Sequence, residues 1–161
     1  RIKRLLGDQV KMTAVLRSLP ALGTCHFSRV AGWEANLIET IEIYRHEPFA
    51  WATNDCFTFA VRCEEAVCGK TRFPELYYAK YTNQFGSMRA FMREGYYGMI
   101  DCMDQRLDEI DMRVARRGDW SVVGTPDGLA VGVLTGDKIA VTGEKGLLFF
   151  DYSQGVKAWR V

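Results

Sequence analysis

The chain has 161 residues, of which 48% are hydrophobic and 25% are charged, and its net charge is +1. This composition is typical of one globular domain and excludes a largely disordered chain. The near-neutral balance gives no indication of a nucleic-acid partner, and no apolar run approaches the ~18 residues of a membrane-spanning helix.

The N-terminal segment, residues 1–30, differs in charge from the rest of the chain. It holds six Lys or Arg residues and a single acidic residue, Asp8. Its stretch "LLGDQVKMTAV" is interrupted by polar residues and lacks the continuous apolar core of a signal peptide. We interpret the segment as a basic extension, helical or poorly ordered, ahead of a domain over 31–161. The first residue is Arg1 rather than Met, which indicates a trimmed or partial chain.

Helical spacing dominates the first part of this domain. Apolar residues from Trp33 to Tyr44 recur every three or four positions, and Pro48 ends the pattern. In the next helix, Asn54 is the predicted N-cap and Gly69 the predicted residue after the C-cap. The acidic run "DCMDQRLDEID" is interpreted as the solvent-exposed face of a later helix. The predicted helices span 32–45, 55–68, 86–94 and 96–108.

After "RRGDW" the apolar period changes to two. Short segments rich in Val, Ile, Phe and Trp alternate with Gly, Asp and Pro, and "TGDK" and "TGEKG" are turn signals. We interpret "RGD" as the turn that opens the first strand, with Gly118 in the turn and Asp119 capping it, rather than as an adhesion motif. Helices followed by about five strands predict an α+β fold with a small antiparallel β-barrel or curled sheet.

Cysteine and histidine usage bounds the metal and redox chemistry. No two cysteines have Cys-x-x-Cys spacing and only two histidines exist, so we predict neither a zinc site nor another cofactor. We interpret the cysteines as reduced thiols of a cytosolic protein. Cys63 follows Cys56 by seven residues on the same helical face and is predicted to lie in the core. The five cysteines are Cys25, Cys56, Cys63, Cys68 and Cys102.

Several segments resemble known families. The segments "EPFAWATNDCFTFA", "YTNQFGSMR", "VARRGDW" and "EKGLLFFDYSQGVKAWRV" are similar to the DUF6950 family, an uncharacterised group common in phages and prophages. More broadly, "NDCFTFA", "RGDWSVV" and "AVGVLTG" resemble the helix start and two strands of NlpC/P60-like, papain-fold cysteine peptidases. The likeness covers about residues 31–161, and it implies a papain-like, NlpC/P60-type fold.

This resemblance implies a role for Cys56, at the start of the second predicted helix. In the wider superfamily this cysteine would be the nucleophile, and nearby backbone N–H groups would serve as oxyanion donors. A helix N-terminus lowers a cysteine pKa because its free N–H groups stabilise the thiolate. Asp55 either orients a substrate or supplies favourable first-turn charge. Trp51 and Asn54 are candidate cleft residues, with packing in the core as the alternative for Trp51.

The base that a cysteine peptidase requires is missing where the resemblance would place it. Superposing "AVGVLTG" on the strand that carries the superfamily's histidine puts Ala130 at that position, and Ala140 and Val141 fall where the third polar residue belongs. The only histidines are His26 and His46. His46 is the remaining candidate base, ten residues before the cysteine, and its alternative is a surface residue without a catalytic role.

The sequence leaves two main classes of function open. The first is a catalytically degenerate domain of phage or prophage origin that acts as a structural or binding module in tail assembly, with phage structural proteins as partners. The second is an active cysteine hydrolase that cleaves peptidoglycan peptides or other amides through Cys56. Ala130 favours the first class. For Cys56 itself, an inherited structural role, nucleophilic activity and redox or metal reactivity are the alternatives.

Two further expectations concern location and partners. A weaker hypothesis assigns binding of nucleic acid or a membrane surface to residues 1–30, although we expect no nucleic-acid partner for the chain. We expect the protein in the cytoplasm of a bacterial host or associated with a virion.

Overall fold

The computed structural model describes residues 27–161, in which helices come first and strands second. Predictions about residues 1–26, which include Cys25 and His26, lie outside the described residues. No helix within 27–161 is both long enough and apolar enough to cross a bilayer. The helices are α1 (Trp33–Tyr44), α2 (Cys56–Cys68), α3 (Pro74–Tyr77), α4 (Gln84–Arg93) and α5 (Met99–Arg106). The strands are β1 (Asp108–Ile110), β2 (Trp120–Thr125), β3 (Gly128–Leu134), β4 (Lys138–Gly143), β5 (Gly146–Asp151) and β6 (Gly155–Arg160).

The six strands form one antiparallel sheet in the order β1-β6-β2-β3-β4-β5. Strands β2 to β5 form a meander, and β6 returns to lie between β2 and β1. The register of β6 on β2 shifts between Val122 and Val123, which marks a bulge. Because β1 and β5 are the edges, the sheet is open, which excludes the barrel, one of the two predicted forms. The α+β prediction is confirmed at this level.

One predicted helix is shorter than the sequence pattern suggested. The helix predicted at 96–108 ends at Arg106, and the residues after it pair with β6, where Asp108 lies opposite Arg160 and Ile110 opposite Ala158. This three-residue strand accounts for a sixth strand where about five were predicted. It has no alternating pattern of its own, because pairing with a strand almost fifty residues later defines it.

The main core lies between the helices and one face of the sheet. Phe57 of α2 makes edge-to-face contacts with Phe73 and Phe91, whose ring centroids lie 5.4 and 5.0 Å away. Phe73 stacks on Trp120 of β2 at 5.3 Å. Offset and edge-to-face aromatic pairs add to the stabilisation from buried area, so these rings join α2, α4 and the sheet. Cys63 is fully buried in this core, as predicted.

A buried ion pair joins α2 to the loop that follows it. Glu64 is fully buried, and its carboxylate accepts hydrogen bonds from the Thr71 hydroxyl at 2.7 Å and the Arg72 backbone N–H at 3.1 Å. It also forms a salt bridge with the Arg72 guanidinium, which is buried as well. The loop after α2 folds back and supplies the partners that a buried charge requires.

The two ends of the described chain meet at Asp119, which is 1% exposed. One carboxylate oxygen accepts from the Arg29 guanidinium at 2.7 Å and from the Val161 backbone N–H at 3.1 Å. The other accepts from the Arg116 N–H at 2.8 Å, and Gly118 has the positive φ of a turn residue. The "RGD" triplet therefore turns the chain into β2, and its aspartate is enclosed within the protein.

Candidate functional site

The start of α2 is built around the carboxylate of Asp55. Asp55 is the N-cap, and it is 2% exposed. One oxygen accepts from the backbone N–H and the hydroxyl of Thr58, at 2.9 and 2.8 Å. The other accepts from the Ala52 N–H at 2.8 Å and the Tyr81 hydroxyl at 2.6 Å. Four donors surround the carboxylate, so it holds the helix start and the preceding turn in place.

Asn54 is not the N-cap, contrary to the prediction, and its side chain bonds to the segment that precedes the helix. Its amide nitrogen donates to the backbone carbonyls of Glu47 and Pro48, at 3.1 and 3.0 Å. Its side-chain oxygen is buried and has no hydrogen-bond partner within residues 27–161. The side chain therefore ties the link after α1 to the start of α2. The cap moved by one residue because Asp55 alone reaches the N–H of Thr58.

Cys56 follows the cap and lies against the sheet. It is partly buried and packs against a small apolar cluster on β2, β3 and β4, to which Ala130 also packs. The backbone of Val131, the next residue on β3, is within hydrogen-bonding reach of the Cys56 thiol. Strand β3, where the sequence comparison placed the missing histidine, is thus the strand beside the cysteine. At that position it presents the methyl group of Ala130.

The Cys56 thiol is a poor acid in these surroundings. Burial raises its pKa to about 11, and the negative charge of Asp55 adds to the increase. Hydrogen bonding to the backbone of Val131, Phe57 and Cys56 itself lowers the pKa, but by less than burial raises it. The first-turn position alone predicts the opposite direction. The helix N-terminus is outweighed because the same fold that supplies these donors also removes water from the sulfur.

His46 lies in the link between α1 and α2. Its side chain is exposed. The pKa of Glu42, at the end of α1, is lowered mainly by the hydrogen bond from Arg45, and His46 is a minor contributor. The link is fixed to the β4–β5 turn, since the Leu147 N–H donates to the Arg45 carbonyl at 2.9 Å and the Phe49 N–H donates to the Gly143 carbonyl at 2.9 Å. Within the described residues, the groups that shift the Cys56 pKa do not include His46.

The other described cysteines are set deeper than Cys56. Burial raises the pKa of Cys63 and of Cys68, and it raises that of Cys102 to about 12. All four described cysteines are free thiols. Within residues 27–161, no three His, Cys, Asp or Glu side chains lie together in a way that would hold a metal ion.

An aromatic cavity of about 990 Å³ opens beside the cap, and Trp51 lines it. The turn Trp51–Thr53 forms one wall, the segment Tyr77–Asn83 forms a second and α4 forms the third. The Trp51 ring makes edge contacts with Phe49 at 4.9 Å and with Tyr81 at 6.3 Å. Trp51 thus lines a cavity, while Asn54 is buried behind it and is not among the lining residues.

Tyr81 connects the cavity with the start of α2. Its ring lines the cavity, while its hydroxyl donates to Asp55. Burial and the neighbouring carboxylate both raise the Tyr81 pKa, so the phenol stays protonated and continues to donate. No local pattern indicates this contact, because 26 residues separate the two partners. The aromatic run "LYYAKYTNQF" is the available signal, and it does not specify which partner its rings contact.

The fold and the site together define an α+β domain in which a capped helix places a cysteine against an antiparallel sheet, next to an aromatic cavity. Residues 28–161 match the family model described as a domain of unknown function, DUF6950, and the chain belongs to this family. No curated protein matches the chain.

Proposed function

We propose that this chain is a catalytically degenerate papain-like domain of phage or prophage origin that acts as a structural or binding module in tail assembly. The observation that carries the proposal is the setting of Cys56. Its thiol lies against β3, with its pKa raised to about 11, and the nearby strand position is occupied by Ala130. An alanine neither accepts the thiol proton nor donates one to a leaving group.

The magnitude of the pKa shift separates the two classes of function. With a pKa of about 11, roughly one thiol in ten thousand is ionised at neutral pH. A cysteine hydrolase that cleaves peptidoglycan peptides or other amides requires a thiolate and a general acid, together with oxyanion donors. Within residues 27–161, the backbone donors near the sulfur fit the last of these requirements. Asp55 does not supply the rest, because four donors already engage its carboxylate.

Alkylation of individual thiols tests the proposal. Native protein is treated with iodoacetamide between pH 5 and 10, and the labelling rate of each cysteine is measured by peptide mass spectrometry. We expect Cys56 to react more slowly at pH 7 than a free cysteine, and its rate to increase about tenfold per pH unit up to about pH 10. Cys63, which is fully buried, is the internal control for unfolding. If Cys56 reacts at pH 5 to 6 much faster than a free cysteine, the domain has an activated nucleophile and the hydrolase is the correct function.

A further inference from the structure

We propose that the aromatic cavity binds an acidic, apolar segment of another polypeptide. This inference rests on the proposed binding role, for which it names the surface and the chemistry of the partner. It depends on the charge and the apolar exposure of the cavity, neither of which involves Cys56.

The charge of the cavity is of one sign. Lys80, Arg89 and Arg93 line it, and no Asp or Glu is among the lining residues. All three cations are exposed, and none forms a salt bridge with a carboxylate within residues 27–161. Some other exposed cations of the protein do have such a partner, as Arg113 has Asp111. A surface with three exposed cations that lack a carboxylate partner in the described part of the chain favours an anionic ligand.

The surface around these cations is strongly apolar. Tyr78 and Met92 line the cavity and are 75% and 58% exposed. Phe85 and Met88 continue the same side of α4, at 75% and 49% exposure, since positions 85, 88 and 92 recur at helical spacing. Exposed aromatic rings and methionines combined with arginines, in the absence of acidic residues, are the composition of the centre of a protein interface.

These features favour a polypeptide over the other possible occupants. Methionine side chains adapt to the apolar side chains of a polypeptide. Binding of single-stranded nucleic acid, in contrast, requires aromatic rings that stack on the bases along a longer basic groove. The chain's own extension, residues 1–30, has the same charge sign as the cavity and is not complementary to it. A second copy is less suitable too, because its densest acidic stretch is already engaged: Asp104 and Glu109 pair with Lys157.

The test is selection from a library of random peptides of about 12 residues displayed on phage, panned against the folded chain. Wild-type protein is compared with K80E/R89E/R93E, which reverses the cavity charge. The matched control is K70E/K145E/R160E, which makes the same change in net charge at exposed residues outside the cavity. Circular dichroism confirms that each variant is folded. A selected peptide is then labelled with fluorescein and its affinity is measured by anisotropy, alongside a version with Gln and Asn in place of Glu and Asp.

We expect wild type and the control to select peptides rich in Asp, Glu and large apolar residues. We expect reversal of the cavity charge to lower the affinity for the labelled peptide by about tenfold or more. The amide version of the peptide should bind wild type more weakly by a similar factor, and the control variant should change the affinity by less than about threefold. Selection without an acidic excess, or equal binding by the cavity variant, overturns the proposal. The proposal is also overturned if an oligothymidine of equal length displaces the labelled peptide at a lower concentration than the unlabelled peptide does. It is likewise overturned if analytical ultracentrifugation shows a wild-type dimer that dissociates when the cavity charge is reversed. An activated Cys56 would refute catalytic degeneracy and leave this binding result unchanged.

Discussion

The start of α2 and the aromatic cavity lie side by side, and they differ in how their charged groups are partnered. At the start of α2, the Asp55 carboxylate is enclosed by four donors and Cys56 is held against the sheet. In the cavity, three cations project from an apolar surface without a carboxylate partner in the described part of the chain. The first region uses its polar groups to hold the fold, and the second leaves them available.

The contrast changes where function should be sought. The sequence motif that looks catalytic, "NDC", is part of a mostly buried structural unit that holds the start of α2. The adjoining surface, which had no motif, has the exposure and the charge that binding requires. Tyr81 belongs to both regions, because its ring lines the cavity and its hydroxyl reaches Asp55. Substitutions in each region, and at the residue between them, test this contrast.

Replacement of Asp55 should have the largest effect. Asp55→Ala removes a helix cap, about 1 kcal/mol, and leaves at least two further donors without an acceptor at about 1 kcal/mol or more each, so we expect a loss of at least about 3 kcal/mol of unfolding free energy. Urea denaturation followed by circular dichroism measures it. Asp55→Asn keeps the shape and two acceptor lone pairs, and it should cost less. A loss below about 1 kcal/mol for the alanine variant would show that the enclosed carboxylate is not structural.

Alkaline pH should destabilise the protein through Cys56. Its folded-state pKa, about 11, lies above its ordinary value, so the folded state holds its proton longer than the unfolded state. The associated stability is fully present below about pH 9 and is lost as pH rises through 11, by up to about 2 kcal/mol after allowance for partial exposure. Denaturation at pH 8 to 10.5 should therefore show a shallower decline for Cys56→Ser than for wild type. Equal slopes would mean that the thiol is not buried as described.

A histidine introduced at residue 130 should make the Cys56 thiol more reactive. Ala130→His places a base on β3 beside the cysteine, and a neighbouring imidazolium stabilises the thiolate. We expect Cys56 alkylation at pH 7 to increase by about tenfold, which corresponds to about 1.4 kcal/mol. Ala130→Asn is the control, since it is polar and of comparable size but does not titrate. If both variants react like wild type, residue 130 does not occupy the position of the missing base.

Replacement of Tyr81, which connects the two regions, should have the smallest effect on the free energy of unfolding. Tyr81→Phe removes one hydrogen bond to Asp55 and leaves the other three, so we expect a loss of about 1 kcal/mol in thermal or urea unfolding. Tyr78→Phe removes the hydroxyl of an exposed ring in the same cavity and should change stability by less than about 0.5 kcal/mol. If the two variants behave alike, Tyr81 does not couple the cavity to the cap.

Local pattern predicted some of these elements well and others poorly. Helix α2 was predicted within one residue because its cap, its C-terminal Gly69 and its apolar spacing are all local signals. The burial of Glu64 was missed because its partner Arg72 is outside the helix, and β1 was missed because β6 defines it. The cavity was missed for the same reason. Lys80, Arg89 and the Trp51 turn are brought together by tertiary packing, which spacing along the chain does not encode.

The contacts of the Asp119 carboxylate also bear on whether the chain connectivity of the domain can be changed. Arg29 and Val161 bond to the same oxygen atom, so the two ends of the described chain lie within a few residues' reach of each other. A short flexible linker could join them in a circular permutant, with new ends opened in the exposed β2–β3 hairpin at Asp127. Such a permutant would retain the capped helix and the aromatic cavity, and it would move both attachment points to the opposite end of the meander.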